Sequence, residues 1–292
     1  MGIGDLVGRV TGRGGPALDV AGATVVVTGA AGGMGEHIAK GFARRGADLA
    51  VVDRDEEGLA RVVGEIEAET QVRVTSYVVD LADREAVTDL AARLRDGHPP
   101  VRVLVNNAGV ALGGRFTEIT EDEFDWLLEV NLHTPIRLTR ALLPIMLENG
   151  EGQVVNLSSL FGILGVPGQT AYSTSKFGLR GFNEALRNEL SAEDCSVGVT
   201  SVHPGGIATN IAKNARTGSG VDPAEAEQGK RKFDKVLRYP AAKAGEEIVQ
   251  AALARRSRLL IGMDARALDA LVRATPSSYW SYLGPVMDRA GR

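Results

Sequence analysis

Residues Ala23 to Gly46 read "ATVVVTGAAGGMGEHIAKGFARRG", and this stretch decides the fold. Its opening "ATVVVTG" is β-branched and apolar without alternation, as in a strand buried on both faces. "GEHIAKGFARRG" then has helical spacing and closes on a glycine stop. Between them lies "TGAAGGMG", Thr28 to Gly35, directly after a strand and opening a helix. Glycines there let the backbone turn sharply and approach a pyrophosphate, which meets the free N–H groups of the helix start. A glycine-rich turn without a ligand is the competing reading, and the strand-before, helix-after context argues against it.

The same alternation runs outward along the chain. "DLAVVD" precedes the helical "EEGLARVVGEIEAET"; "VRVTSYVVD" precedes a helix around Glu85 to Arg95; "VRVLVNNAG" precedes one long helix, about Glu121 to Glu148. "GQVVNLSS" leads to a helix over Ala171 to Leu190, and "SVGVTSVHPGG" to a helix around Glu246 to Ala254 and a last strand near "SRLLIG". Uniformly apolar strands separated by helices predict a doubly wound, parallel, Rossmann-type α/β sheet in a single domain, residues 22–262. Two segments stand outside the pattern. The glycine-rich start, residues 1–21, reads as a disordered or amphipathic extension, and Ile207 to Pro240 as a mobile cover over a site. Residues 263–292 form a C-terminal extension.

Bulk properties exclude several function classes. A hydrophobic content of 44% with 24% charged residues is that of an ordinary globular protein. A net charge of −4 gives no reason to expect nucleic acid or an anionic membrane as partner. The short run "KRK", Lys230 to Lys232, is flanked by acids and reads as a solvated helix face. The single cysteine, Cys195, forbids an internal disulfide and fits a reducing compartment. No apolar run approaches a membrane span, and the N-terminus lacks the apolar core of a signal peptide, so the expectation is a soluble, cytoplasmic protein. His37, His98, His133 and His203 are scattered, and no cluster has metal-ligand spacing, so no metal is expected.

Candidate chemistry falls at the carboxyl ends of the strands, where open α/β sheets bind ligands. Asp53 ends the second strand 20 residues past Gly33, the spacing of an acid that bonds ribose hydroxyls. Its carboxylate would repel a 2′-phosphate and so favours NAD, whereas Arg54 beside it suits that phosphate, so NADP stays open. Further on, "AYSTSKFGLRGF" sets Tyr172 and Lys176 four residues apart on one helix face. Geometry alone makes such a pair an ordinary surface feature.

Taken together, "TGAAGGMG", "NNAG" at Asn106 to Gly109, Asn131, "NLSS" at Asn156 to Ser159 and "YSTSK" resemble the short-chain dehydrogenase/reductase family, over roughly Ala23 to Ile261. The resemblance implies a nicotinamide dinucleotide held by Gly29, Gly33, Met34, Gly35, Asp53 and Arg54. It adds Asp80 and Leu81 at the adenine, Asn107, Ala108 and Gly109 beside the cofactor, and Pro204, Gly205, Ile207 and Thr209 near the nicotinamide amide. It makes Tyr172 the acid/base, Lys176 its partner and a ribose ligand, Ser159 the ligand of the substrate carbonyl, and Asn131 a member of a proton relay. An unperturbed phenol titrates near ~10, and a nearby ammonium with an oxidised nicotinamide would bring it toward working pH. Relatives commonly pair through the long helices, which implies a homodimer or homotetramer.

Ser158 reads as a strand-end residue, and His203 as structural or cofactor-side. Leu160, Phe161, Ile163, Leu164 and Val166 follow Ser159 and would either line an apolar pocket or pack in the core. The tail carries Tyr279, Trp280 and Tyr282, which would cover that pocket, join a partner subunit or rest on a membrane, in that order. The expectation is an NAD(P)-dependent oxidoreductase acting on a small molecule, a lipophilic secondary alcohol or ketone. A 3-oxoacyl-thioester reductase and a dinucleotide-binding sensor without turnover are the alternatives.

Overall fold

Each apolar run becomes a strand of one parallel sheet: β1 Thr24–Thr28, β2 Asp48–Asp53, β3 Val74–Val78, β4 Val101–Asn106, β5 Gly152–Leu157, β6 Val197–Pro204 and β7 Arg258–Ile261. In the computed structural model, which describes residues 17–98, 100–193 and 195–290, the strands lie in the order β3-β2-β1-β4-β5-β6-β7. The order reverses between β1 and β4, which opens a crevice at their carboxyl ends. This is the doubly wound, single-domain architecture the alternation predicts.

Helices cover both faces. α1 Gly33–Ala43, α2 Glu56–Glu69, α3 Arg84–Gly97, α4 Glu121–Leu128, α5 Thr134–Glu148 and α6 Thr170–Ala192 follow the first five strands. α7 Pro223–Val236, α8 Ala241–Leu253, α9 Met263–Ala274 and α10 Tyr279–Ala290 complete the described helices. The period-two alternation of β1 divides the core. Val25 and Val27 pack with Ile38, Phe42, Leu59 and Val249, while Val26 packs with Leu90, Leu94, Leu138, Leu142 and Leu186 on the opposite face. Fully burying each large aliphatic or aromatic side chain contributes about 1.5–3 kcal/mol.

One expectation needs correction. The single helix over Glu121 to Glu148 is two helices joined by a π turn, Glu129–His133. In that turn the Thr134 N–H reaches back five residues to the Glu129 carbonyl, and Pro135, which has no N–H to offer, follows at the start of the second helix. Most of the N-terminal extension lies outside the described residues. Leu18 and Val20 are nonetheless buried, and the Leu18 N–H donates to the Leu253 carbonyl at 2.8 Å, so the body begins before residue 22. The C-terminal extension is bound into the body as well. Asp269 of α9 accepts from both terminal nitrogens of Arg258 in β7, at 2.6 and 2.9 Å, and the arginines beside it hold its carboxyl down at about 2.

The segment read as a cover contains α7; its two ends pair with each other, and a second bridge within it holds it to the stretch after β4. Ile207–Ala208 pairs with Tyr239–Pro240, and Arg216–Thr217 with Leu112–Gly113. Arg216 also stacks on Trp126 of α4, 3.7 Å from the ring centroid. Among the described residues no helix is long and apolar enough to cross a membrane.

Candidate active site

The glycine loop leaves β1 at Thr28 and turns at Gly29, whose φ of +67° is left-handed. A Cβ on Gly29 would lie 2.8 Å from the Ala108 Cα, and one on Gly35 would overlap the Gly29 carbonyl oxygen. At Gly29 and Gly35 the loop therefore closes on itself and on the turn after β4 with no room for a side chain. Asn107 locks that contact: its Nδ2 donates to the carbonyls of Thr28 at 2.9 Å and Gly29 at 3.0 Å. The backbone N–H groups of Asn107 and Ala108 both donate to the Thr28 hydroxyl at 3.1 Å.

Side chains cap the starts of α2, α3, α4 and α7, from Asp55, Asp83, Thr120 and Asp222. α1 starts after Gly32 with no side-chain cap, as α6, α8 and α9 also do, which leaves its first N–H groups for another partner. Asp53, at the end of β2, accepts from the N–H of Ala31 at 3.0 Å, of Arg54 at 2.7 Å and of Asp55 at 3.1 Å. Arg61 holds the Ala31 carbonyl at 3.2 Å, so both backbone polar atoms of Ala31 are fixed. The Arg54 side chain is exposed. Met34 packs on the core beneath the loop. Beyond β3, Asp80 accepts from the Ala82 N–H at 2.9 Å, and the carbonyl of buried Leu81 accepts from the Thr134 hydroxyl at 2.9 Å. Past β6, Pro204 gives way to Gly205, whose N–H donates to the Ile261 carbonyl at 2.9 Å. The chain then returns through buried Ile207 to Thr209, whose methyl would lie 3.3 Å from a Cβ on Gly33.

The second half of the crevice is built from buried side chains. Tyr172 and Lys176 project from the first turns of α6, with the ammonium 5.6 Å from the phenol ring centroid. Lys176 donates to the Leu157 carbonyl at the end of β5, at 2.9 Å. Gly109 lies between two of these groups: a Cβ there would be 3.3 Å from Asn131 Oδ1 and 3.5 Å from Lys176 Nζ. Asn131 sits in the π turn and is committed to Val110, accepting from its N–H at 2.8 Å and donating to its carbonyl at 2.9 Å. The structure thus brings Gly109, Asn131, Tyr172 and Lys176 together.

Of the adjacent serines, Ser158 is buried and its hydroxyl donates to the Lys176 carbonyl at 2.9 Å, away from the phenol. Ser159 caps the short turn Leu160–Gly162 and its side chain interacts with Tyr172. Burial raises the Tyr172 phenol above its ordinary value, and the Ser159 interaction opposes that rise. Burial also pulls the Lys176 ammonium down to about 8. Among the protein's own groups desolvation dominates the phenol, and the lowering expected from the sequence depends on an oxidised nicotinamide as well as on Lys176.

The apolar residues after Ser159 divide. Ile163 and Leu164 are buried, at 3% and 2% exposure, and belong to the packing, while Phe161 stands edge-on to Tyr172 with centroids 6.0 Å apart. Val166 lines an open cleft of about 660 Å³ together with Pro167, Ser173, Phe177, Tyr279 and Trp280. The tail closes onto the loop that carries Val166, since the Gly165 N–H donates to the Tyr279 hydroxyl at 3.0 Å.

Residues 23–220 match the family described as short chain dehydrogenase. The chain belongs to the short-chain dehydrogenase/reductase family. A Mycobacterium tuberculosis protein named as an oxidoreductase, SadH, is 37% identical over 259 residues, which is 88% of this chain and 92% of that one. A Burkholderia phymatum short-chain dehydrogenase/reductase solved in complex with NAD superposes with a TM-score of 0.80 at 26% identity, over 88% of this chain and 95% of that one. A Sphingobium yanoikuyae short-chain dehydrogenase in complex with NADPH gives 0.69 at 29% identity, over 87% and 95%. The chain is an oxidoreductase of this short-chain type.

Sequence reasoning missed Asp264, whose Oδ2 accepts from the Gly206 N–H at 2.8 Å and so fixes the turn after β6 from α9. It also missed Asn183 and Ser201. An aspartate 58 residues from its glycine leaves no local signal. A buried asparagine on an amphipathic helix is a weak one, visible as a polar residue at an apolar position.

Proposed function

We propose that this short-chain dehydrogenase/reductase moves hydride between a nicotinamide dinucleotide and a lipophilic secondary alcohol or ketone. The observation that carries the proposal is the convergence of Ser159, Tyr172 and Lys176 beside a glycine loop that has no room for a Cβ at Gly29 or Gly35. The residues present fit a dinucleotide: the loop admits close backbone approach, and the α1 N-terminus offers uncapped N–H groups to a pyrophosphate. Asp53, held at the end of β2, suits the ribose hydroxyls and favours NAD, while exposed Arg54 keeps NADP accessible. Asn107, Ala108, Gly109, Ile207 and Thr209 line the path toward the nicotinamide end. When bound, the nicotinamide ring supplies the hydride acceptor or donor.

The chain's own groups do the proton chemistry. Tyr172 takes the hydroxyl proton in alcohol oxidation and returns it in ketone reduction. Ser159 holds the substrate oxygen against that phenol. Lys176, at about 8, is an ammonium at neutral pH and stabilises the phenolate as it forms. The apolar side of the site comes from Phe161, edge-on to Tyr172, which favours an apolar substrate.

The test is dinucleotide absorbance with secondary alcohols from short aliphatics to steroids, each with NAD and NADP, beside Tyr172→Phe. The expected outcome is turnover that falls at least about a hundredfold in the variant with dinucleotide affinity retained. Turnover that survives Tyr172→Phe, or none in any combination while the dinucleotide binds, defeats the proposal.

A further inference from the structure

One buried chain of side chains crosses the second half of the crevice without touching the glycine loop. Asn106 Nδ2 donates to Asn156 Oδ1 at 2.7 Å, and Asn156 Nδ2 donates to Asn183 Oδ1 at 2.5 Å. Asn183 Nδ2 donates to Ser201 Oγ at 3.1 Å, and Ser201 Oγ lies 3.1 Å from His203 Nε2. His203 Nδ1 lies 3.2 Å from the Ser159 carbonyl oxygen. All five side chains are at most 2% exposed.

The end of the chain fixes its direction. A carbonyl oxygen only accepts, so Nδ1 carries the imidazole proton. Nε2 is then the acceptor, and the Ser201 hydroxyl donates to it while its oxygen accepts from Asn183. Each link thus runs the same way, from β4 through β5 and α6 to β6, and terminates on the peptide of Ser159. Burial keeps the imidazole neutral, with its pKa pushed down to about 4. The Ser159 carbonyl also accepts from the Gly162 N–H at 3.0 Å, which clamps it between its own turn and the histidine.

We infer that His203 is a positioning residue for Ser159: by donating to the Ser159 carbonyl, it sets the angle at which the Ser159 hydroxyl meets Tyr172. The inference rests on the proposed reading, in which that hydroxyl holds the substrate oxygen. Ser201, Asn183, Asn156 and Asn106 act behind it by fixing the tautomer and ring plane of the imidazole, as outer partners orient a functional histidine elsewhere.

Two substitutions separate the contacts. In His203→Asn the amide nitrogen replaces Nδ1 and keeps the donor to Ser159; in His203→Gln the amide reaches toward Ser201 and that donor is lost. With the alcohol turned over fastest in the panel above, His203→Gln should lower kcat at least about tenfold and His203→Asn less than about threefold, with dinucleotide KM unchanged in both. In a Ser159→Ala background the His203→Gln effect should shrink to less than about twofold, because the residue acts through Ser159. A purely structural histidine would lower Tm in both variants and leave kcat per folded molecule unchanged. Imidazole nitrogen NMR on the unsubstituted protein needs no substrate, and should show Nδ1 protonated and Nε2 bare from about pH 6 to 8. The opposite tautomer, or an undiminished His203→Gln effect in the Ser159→Ala background, overturns this inference alone. Activity persisting in Tyr172→Phe overturns the reading beneath it.

Discussion

The two halves of the crevice are built from different materials. Around β1 and β2 the site is backbone: a glycine loop pressed against Ala108, held by the carboxylate of Asp53 and the amide of Asn107. Around β4, β5 and β6 it is side chain: Asn106, Asn131, Asn156, Lys176, Asn183 and His203, all buried. The first half is intolerant of an added atom, because its neighbours are main chain and cannot move aside. The second is intolerant of a lost partner, because each polar group is desolvated and depends on the next.

The sharpest way to break this contrast is to add one methyl group to the loop. Gly35→Ala sets a Cβ against the Gly29 carbonyl, and should cost about 3 kcal/mol in urea unfolding and weaken dinucleotide binding more than about tenfold. Unchanged affinity by titration calorimetry would mean that the loop yields and that the backbone half is no tighter than its partner.

The second test concerns charge in the side-chain half. Lys176 has a folded pKa of about 8 against an unfolded value near 10.5, so folding disfavours its charged form. Below about pH 8 both states bind the proton and the penalty is complete. Between the two values the unfolded state binds more protons, so stability rises with pH. The rise should be about 2 kcal/mol between about pH 7.5 and 9.5 relative to Lys176→Met, measured by denaturant titration. Parallel pH profiles for the two proteins would show that Lys176 is better solvated than its burial implies.

The smallest effect is a control on the first. Gly64 lies exposed in α2, and a Cβ there meets nothing within 4 Å. Gly64→Ala should stabilise by about 0.5–1 kcal/mol, since it removes only unfolded-state freedom and a poor helix former. Destabilisation of similar size to Gly35→Ala would show that glycines here matter by composition and not by place.

The same contrast explains what the sequence revealed. The backbone half is local: Thr28 to Gly35 and Asp53 stand at short, fixed offsets, and strand, turn and helix each carry their own signature. The parallel sheet was legible for the same reason, since Val25, Val26 and Val27 need burial on both faces. The side-chain half is assembled across long separations. Nothing near Asn183 in the chain announces that it bridges β5 to β6, and nothing near Asp264 announces Gly206. The break at Pro135 was visible as a proline, but helical spacing runs unbroken through Glu121 to Glu148, and periodicity reports burial and not hydrogen-bond register. The rise of the Tyr172 phenol comes from its burial, which spacing on a helix does not determine.

The contact between Asp264 and Gly206 has a consequence for the order in which the protein comes into being. Synthesis delivers the glycine loop, Asp53 and the turn after β4 within the first hundred or so residues, but a single domain folds as a unit. β6 remains an open sheet edge until Arg258–Ile261 pairs with it, and the turn after it stays loose until Asp264 arrives. A nascent chain therefore cannot fix the turn that follows His203 until Asp264 emerges, and the glycine-loop half waits as well for α8, whose Val249 packs with Val25 and Val27. Both halves of the crevice are finished late, under the hand of the C-terminal helices.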